Sequence, residues 1–194
     1  VIQVYGANYG RTSLIDMEGK STMAFEKLIK IMEELCCGEP YHLITHKRVV
    51  DYFGLDGVLG EDNVNWFGNT RGLNTMKDAK NLVVLGTYMP PIQDLVEGAR
   101  VLYDQTWDLK QEEERALADL ANTKWLPIRF TDPKHEPVHV RRRQFTNSFV
   151  QLYYQHSVLA EIEQAIGRAR INESAKEKRR LVIISNHISE FVTV

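Results

Sequence analysis

Gln164-Ala165-Ile166-Gly167-Arg168-Ala169-Arg170 is the stretch whose residue types and spacing most directly suggest chemistry. An apolar helical pattern runs into it and stops at Gly167, and two arginines then flank a small residue. A guanidinium is permanently charged and offers a rigid fork of donors suited to phosphate oxygens. The surroundings are basic as well: Arg168, Arg170, Lys176, Lys178, Arg179 and Arg180 stand against Glu173 and Glu177. A basic triplet occurs at Arg141-Arg142-Arg143, while Asp108, Glu112, Glu113, Glu114 and Asp119 make an acidic stretch. The formal net charge of -2 therefore hides a segregated distribution. Segregated basic clusters attract phosphate, whether of a nucleotide or of a nucleic-acid backbone.

Elements must position those arginines, and hydrophobic periodicity shows which ones. Leu82-Val83-Val84-Leu85 is a continuous apolar run closed by Gly86, the pattern of a strand buried on both faces. Tyr41 to Thr45, Val64 to Phe67 and Leu181 to Ile184 read as further strands. Helices are predicted over Thr22 to Leu35, His46 to Phe53, Ile92 to Tyr103, Gln111 to Ala121 and Asn147 to Arg168. In the last, Val150, Tyr154, Val158, Ile162 and Ile166 recur every four residues. Trp125 to Phe130 and Val138 to Arg143 alternate like a hairpin turning at Thr131-Asp132-Pro133.

Strands alternating with helices predict an α/β fold with a mostly parallel sheet sandwiched by helices. Ligands of such sheets sit beyond the carboxyl ends of the strands. Three polar loops hold that position: Thr45-His46-Lys47, Gly68 to Asn74, and Thr87 to Pro91.

Two tempting motifs fail on context. His135-Glu136-Pro137-Val138-His139 has the letters of a zinc-protease helix, but Pro137 lies inside it and Val138-His139-Val140 alternates like a strand. On a strand the two histidines would stand roughly 13 Å apart, too far to share a metal. No metal ligands are therefore assigned. Gly19-Lys20-Ser21-Thr22 mimics the end of a phosphate loop, but Leu14 occupies the place of the first glycine. An ordinary helix N-cap explains that segment.

Composition narrows the class further. With 194 residues, 43% hydrophobic and 26% charged, the chain can bury a proper core, which excludes wholesale disorder. No apolar run reaches the roughly 18 residues of a membrane span, so no membrane partner is expected. Val1 to Tyr5 has no signal-peptide pattern, and the only cysteines, Cys36 and Cys37, are adjacent. That usage predicts a cytoplasmic protein without disulfides, both thiols closing the apolar face of a helix. The absence of an initiator Met suggests a piece of a longer protein.

The stretch Gln164 to Arg168 resembles motif VI of superfamily-two helicases, the Gln-x-x-Gly-Arg pattern of their second RecA-like domain. Thr70-Arg71-Gly72-Leu73-Asn74 resembles motif V, with Asn74 where an Asp is usual. Leu43-Ile44-Thr45-His46-Lys47 is similar to the strand and loop of motif IV. The three occur in the family's order and span roughly residues 41 to 185.

The resemblance implies the C-terminal RecA-like domain of a DEAD/DEAH-type helicase or translocase. Its arginine finger would be Arg168, oriented by Gln164. Arg170 stands one residue short of the family's usual spacing, so it either assists Arg168 or holds a carboxylate of its own domain. Gly72, Asn74 and Gly167 would border the nucleotide. Thr45, Lys47, Thr70 and Arg71 would grip the sugar-phosphate backbone of DNA or RNA, single-stranded in the expected case.

ATP with Mg2+ would be bound mainly by an N-terminal RecA-like ATPase domain outside these 194 residues. The chain is expected to hydrolyse nothing alone, because it holds neither a complete phosphate loop nor an apolar strand ending in Asp-Glu. In this reading 1–194 is one domain, 1–20 a linker from the missing domain, and 92–157 a helical and hairpin insertion between motifs V and VI. Two alternatives remain at this level: a non-catalytic RecA-like module binding nucleic acid or protein, and the motor portion of a restriction or nuclease complex.

Overall fold

Strand β4 (Asn81–Leu85) is buried at every residue, as a strand covered on both faces must be. It lies in the middle of a five-stranded sheet whose order is β1-β7-β4-β2-β3, with every pair parallel. The others are β1 (Ile2–Val4), β2 (His42–Thr45), β3 (Val64–Trp66) and β7 (Arg180–Ile184). A computed structural model describes residues 1–5, 10–15, 23–69, 76, 79–128, 138–168 and 179–187.

The register carries one apolar row across the sheet. Val64 pairs with Leu43, Leu43 with Val83, Val83 with Val182, and Val182 with Ile2. Leu43, Val83, Leu85, Val182 and Ile184 share a core with Leu14, Phe25, Leu28, Met32, Val49 and Leu55. Those partners come from α1 (Arg11–Leu14), α2 (Met23–Leu35), α3 (Lys47–Phe53) and α4 (Leu55–Leu59). The alternate set, Ile44, Leu82, Val84, Leu181 and Ile183, is buried equally well, so both faces are covered. Each fully buried side chain of this size contributes on the order of 1.5–3 kcal/mol.

Helix ends follow local chemistry. Gly54, at φ 58, closes α3 in the left-handed conformation that glycine adopts without a Cβ penalty. At the end of α2 the Gly38 N–H donates to the Glu33 carbonyl, and Cys37 already has φ 57. This turn separates the thiols: Cys36 is buried and Cys37 exposed. The expectation that both close an apolar face is thus corrected for Cys37, which lies beyond the last helical turn. Burial pushes the Cys36 thiol above its ordinary value, with Arg180 opposing.

Two further segments depart from expectation. Residues 2–4, assigned to a linker, form the edge strand β1 against β7; three residues are too few to display a period. Residues 55–59, for which no element is named above, form α4, since Leu55 and Leu59 fall on one helical face against the core.

The described residues divide into two compact units, one holding 1–87 and 161–187, the other 88–160. The second contains α5 (Ile92–Leu102), α6 (Leu109–Ala118), the antiparallel ribbon of β5 (Thr123–Ile128) and β6 (Val138–Arg143), and most of α7 (Ser148–Arg168). Asp108 caps α6 by accepting from the Gln111 N–H at 3.0 Å. Asn147 caps α7, its Oδ1 accepting from Phe149 N–H at 3.0 Å and Val150 N–H at 3.3 Å. All members of the four-residue stripe of α7, from Val150 to Ile166, are buried. His139 lies on β6, while His135 and the hairpin turn fall outside the described residues. No helix among the described residues is long and apolar enough to cross a membrane.

Candidate functional site at the carboxyl edge of the sheet

Strand order determines where this sheet can hold a ligand. After β2 the chain moves to β3 on one side, and after β4 it returns to β7 on the other. The connections part at the neighbouring carboxyl ends of β2 and β4, the switch point at which open α/β sheets bind their ligands. Thr45-His46-Lys47 leaves β2 there, Gly86-Thr87 leaves β4, and Phe67-Gly68 leaves the flanking β3. The three polar loops singled out in the sequence thus begin on adjacent strands of one edge.

Thr45 is completely buried, and its Oγ1 finds no hydrogen-bond partner among the described residues. Its carbonyl accepts from the Phe67 N–H at 3.0 Å, which locks the start of the β3 loop to β2. Lys47, the first residue of α3, is exposed, with its Nζ 5.3 Å from the centre of the Trp66 ring. An indole face attracts an ammonium group without neutralising it, so the charge is held in place and stays available to an anion. His46 packs edge-on against Phe67, ring centres 5.2 Å apart.

The other half of the edge is tied by hydroxyls. Thr87 Oγ1 and Ser185 Oγ are 2.7 Å apart, the Ser185 N–H donates to the Val4 carbonyl, and His187 N–H donates to Ser185 Oγ. Gln3 Nε2 donates to the carbonyls of Ser185 and His187 at 2.9 and 3.2 Å. The ends of β1, β7 and β4 are thereby fixed relative to each other. Sequence reasoning missed Gln3 and Ser185; the signal present was a Ser-Asn-His run directly after an apolar strand.

Helix α7 brings in the arginine-bearing segment. Glu161 is buried, and its Oε2 accepts from the Gly68 N–H at 2.9 Å. The polar loop after β3 is therefore pinned to the turn of α7 that precedes Gln164. Gln164 lies on the same side of the helix, and its Oε1 is buried with no partner among the described residues. Gly167 is exposed and Arg168 is the last helical residue. The side chain of Arg168, and all of Arg170, Thr70, Arg71, Gly72 and Asn74, lie outside the described residues. Glu161 was also missed, although an acid inside an apolar stripe is a visible anomaly in α7.

Groups with displaced pKa values lie away from this edge. Burial lowers His42, at the start of β2, against a weaker opposing pull from Asp62. Burial pushes Tyr41 up to about 12. In the second unit, burial lowers Arg142 and raises Tyr154. No group of three or more metal-binding side chains occurs among the described residues.

No protein-family model, no curated protein and no solved structure matches this chain. The geometry and the motif resemblance are what the functional reading rests on.

Proposed function

We propose that this chain is the second motor domain of an ATP-dependent superfamily-two helicase or translocase, with a RecA-like sheet. The observation that supports the reading is where the described segments leading into the motifs begin. The loops after β2 and β3 leave one sheet edge beside the switch point, and the Gly68–Glu161 bond ties the second of them to the helix that ends in Arg168.

In this reading Lys47, Thr70 and Arg71 hold the sugar-phosphate backbone of a single strand, by charge and hydrogen bonding and without reading sequence. Thr45, fully buried at the end of β2, anchors the segment that carries Lys47. Arg168 reaches the γ-phosphate of ATP held with Mg2+ by a partner RecA-like domain and stabilises charge on the transferring group. Gln164, four residues before Arg168 on the same helix, would orient it in this reading. Gly72, Asn74 and Gly167 line the nucleotide side, and Arg170 assists or braces.

The test is ATP turnover by the longer parent protein, with and without single-stranded nucleic acid, for wild type and Arg168→Ala. Turnover should rise with the strand, and the substitution should remove about 2–4 kcal/mol of transition-state stabilisation. Turnover by the isolated 194 residues, or indifference to Arg168, would sink the motor reading.

A further inference from the structure

The β5–β6 ribbon has one face that the fold does not use. Cross-strand partners share a face, and here Trp125 pairs with Arg141, Thr123 with Arg143 and Pro127 with His139. In the alternate set Val140 is fully buried, Arg142 half-buried and Lys124 exposed, while on the Trp125 face Thr123, His139 and Arg141 are exposed and Arg143 is half-buried. Trp125 is left 64% exposed, the most exposed aromatic side chain among the described residues.

The chemistry around that indole is one-sided. The twelve residues of β5 and β6 contain Lys124, Arg141, Arg142 and Arg143 and no carboxylate. Three consecutive arginines repel one another, a cost that an anion relieves. Arg141 is held across the ribbon by its Nε, which donates to Thr123 Oγ1 at 2.6 Å, leaving the outer fork of the guanidinium for a partner. Arg141 and Arg143 follow each other on the face at about 7 Å, the strand repeat for alternate residues. One nucleotide of extended backbone spans that separation.

We propose that this outward face is a contact for single-stranded nucleic acid, in which Trp125 stacks on a base while Arg141 and Arg143 hold adjacent phosphates. The proposal rests on the nucleic-acid part of the reading above, but on residues outside its motifs. A flat π surface beside two spaced cations matches a base with its flanking phosphates, and stacking on an aromatic ring is tolerant of sequence.

The experiment measures binding of the full chain to labelled strands of roughly 12 nucleotides, a length that covers one such groove. The strands are oligothymidylate, oligouridylate and an abasic deoxyribose-phosphate strand. The proteins are wild type, Trp125→Ala, Trp125→Phe, Arg141→Ala, Arg143→Ala and Lys47→Ala, each checked for an unchanged thermal transition. Trp125→Ala should weaken binding to the base-bearing strands about tenfold and to the abasic strand less than about twofold. Trp125→Phe should retain most of the affinity. Each arginine variant should weaken all strands and lower the salt slope by about one. Comparison of thymidylate with uridylate identifies which of DNA and RNA is preferred.

Equal losses on base-bearing and abasic strands overturn the stacking role. Wild-type affinity in all ribbon variants, with loss only in Lys47→Ala, overturns the ribbon site and leaves the motif reading standing. Displacement of every strand by polyglutamate without any dependence on bases identifies an acidic-peptide surface instead. Absence of strand binding in wild type overturns both readings together.

Discussion

The Gly68 N–H and the Glu161 carboxylate, 93 residues apart in sequence, meet at 2.9 Å. This bond joins a loop leaving the sheet to the helix that ends in Arg168. Glu161 is buried, so its charge needs such donors, and a backbone N–H is a firm one.

Removing that acceptor should therefore be expensive. Glu161→Ala removes this charge-assisted bond, though water can reach the exposed Gly68 N–H, and is expected to lower stability by about 1–2 kcal/mol. Glu161→Gln keeps a weaker acceptor and should lose less than half as much. Urea midpoints at fixed pH measure both; equal midpoints for all three proteins would show that the bond carries no stability.

Thr45 should behave in the opposite sense. Its buried hydroxyl has no partner among the described residues, and Thr45→Val replaces it with a methyl of similar shape. An expected gain of about 1 kcal/mol follows from relieving an unsatisfied polar group. A thermal melt that falls instead would reveal a bond supplied by the segments flanking the site.

Asp119 fastens the end of α6 to the start of α7. Its buried carboxylate accepts from Thr146 N–H and Asn122 Nδ2, both at 2.7 Å, and from the Thr146 hydroxyl. Asp119→Ala is expected to cost about 1–2 kcal/mol by removing these bonds, since both donor residues are exposed to water. Chemical unfolding is the measurement, and a loss under about 0.5 kcal/mol would class the site with ordinary surface positions.

His42 gives a pH dependence with a defined sign. Burial holds its imidazole below the ordinary 6.5, so the unfolded chain takes up the proton first on acidification. Its contribution is present above about pH 6.5 and is lost as pH falls through that value toward the lower folded pKa. The urea midpoint should drop between about pH 7.5 and pH 5.5, and His42→Gln should flatten that slope. An identical slope in the variant would assign the dependence to other groups.

The elements legible in the sequence were those whose signal is local. The apolar run of β4, the four-residue stripe of α7 and the glycine stops at Gly38 and Gly54 each depend on residues within a turn or two of one another. They sufficed for an α/β assignment and for naming the loops at the strand ends. Strand β1 escaped because three residues carry no period, and Cys37 because one left-handed residue reverses which side faces the core.

What only the tertiary structure decided is everything that depends on distant partners. The order β1-β7-β4-β2-β3 follows from which buried faces fit together, and the switch point between β2 and β4 exists only in that order. Glu161, Ser185 and Gln3 acquire their roles because buried polar groups must find partners wherever the chain brings them. Trp125 gains its meaning in the same way: the ribbon register sets it opposite Arg141, and burial of Val140 on the alternate face turns both outward. Periodicity names the elements, whereas packing and hydrogen-bond satisfaction choose their neighbours, because those energies arise between residues far apart in the chain.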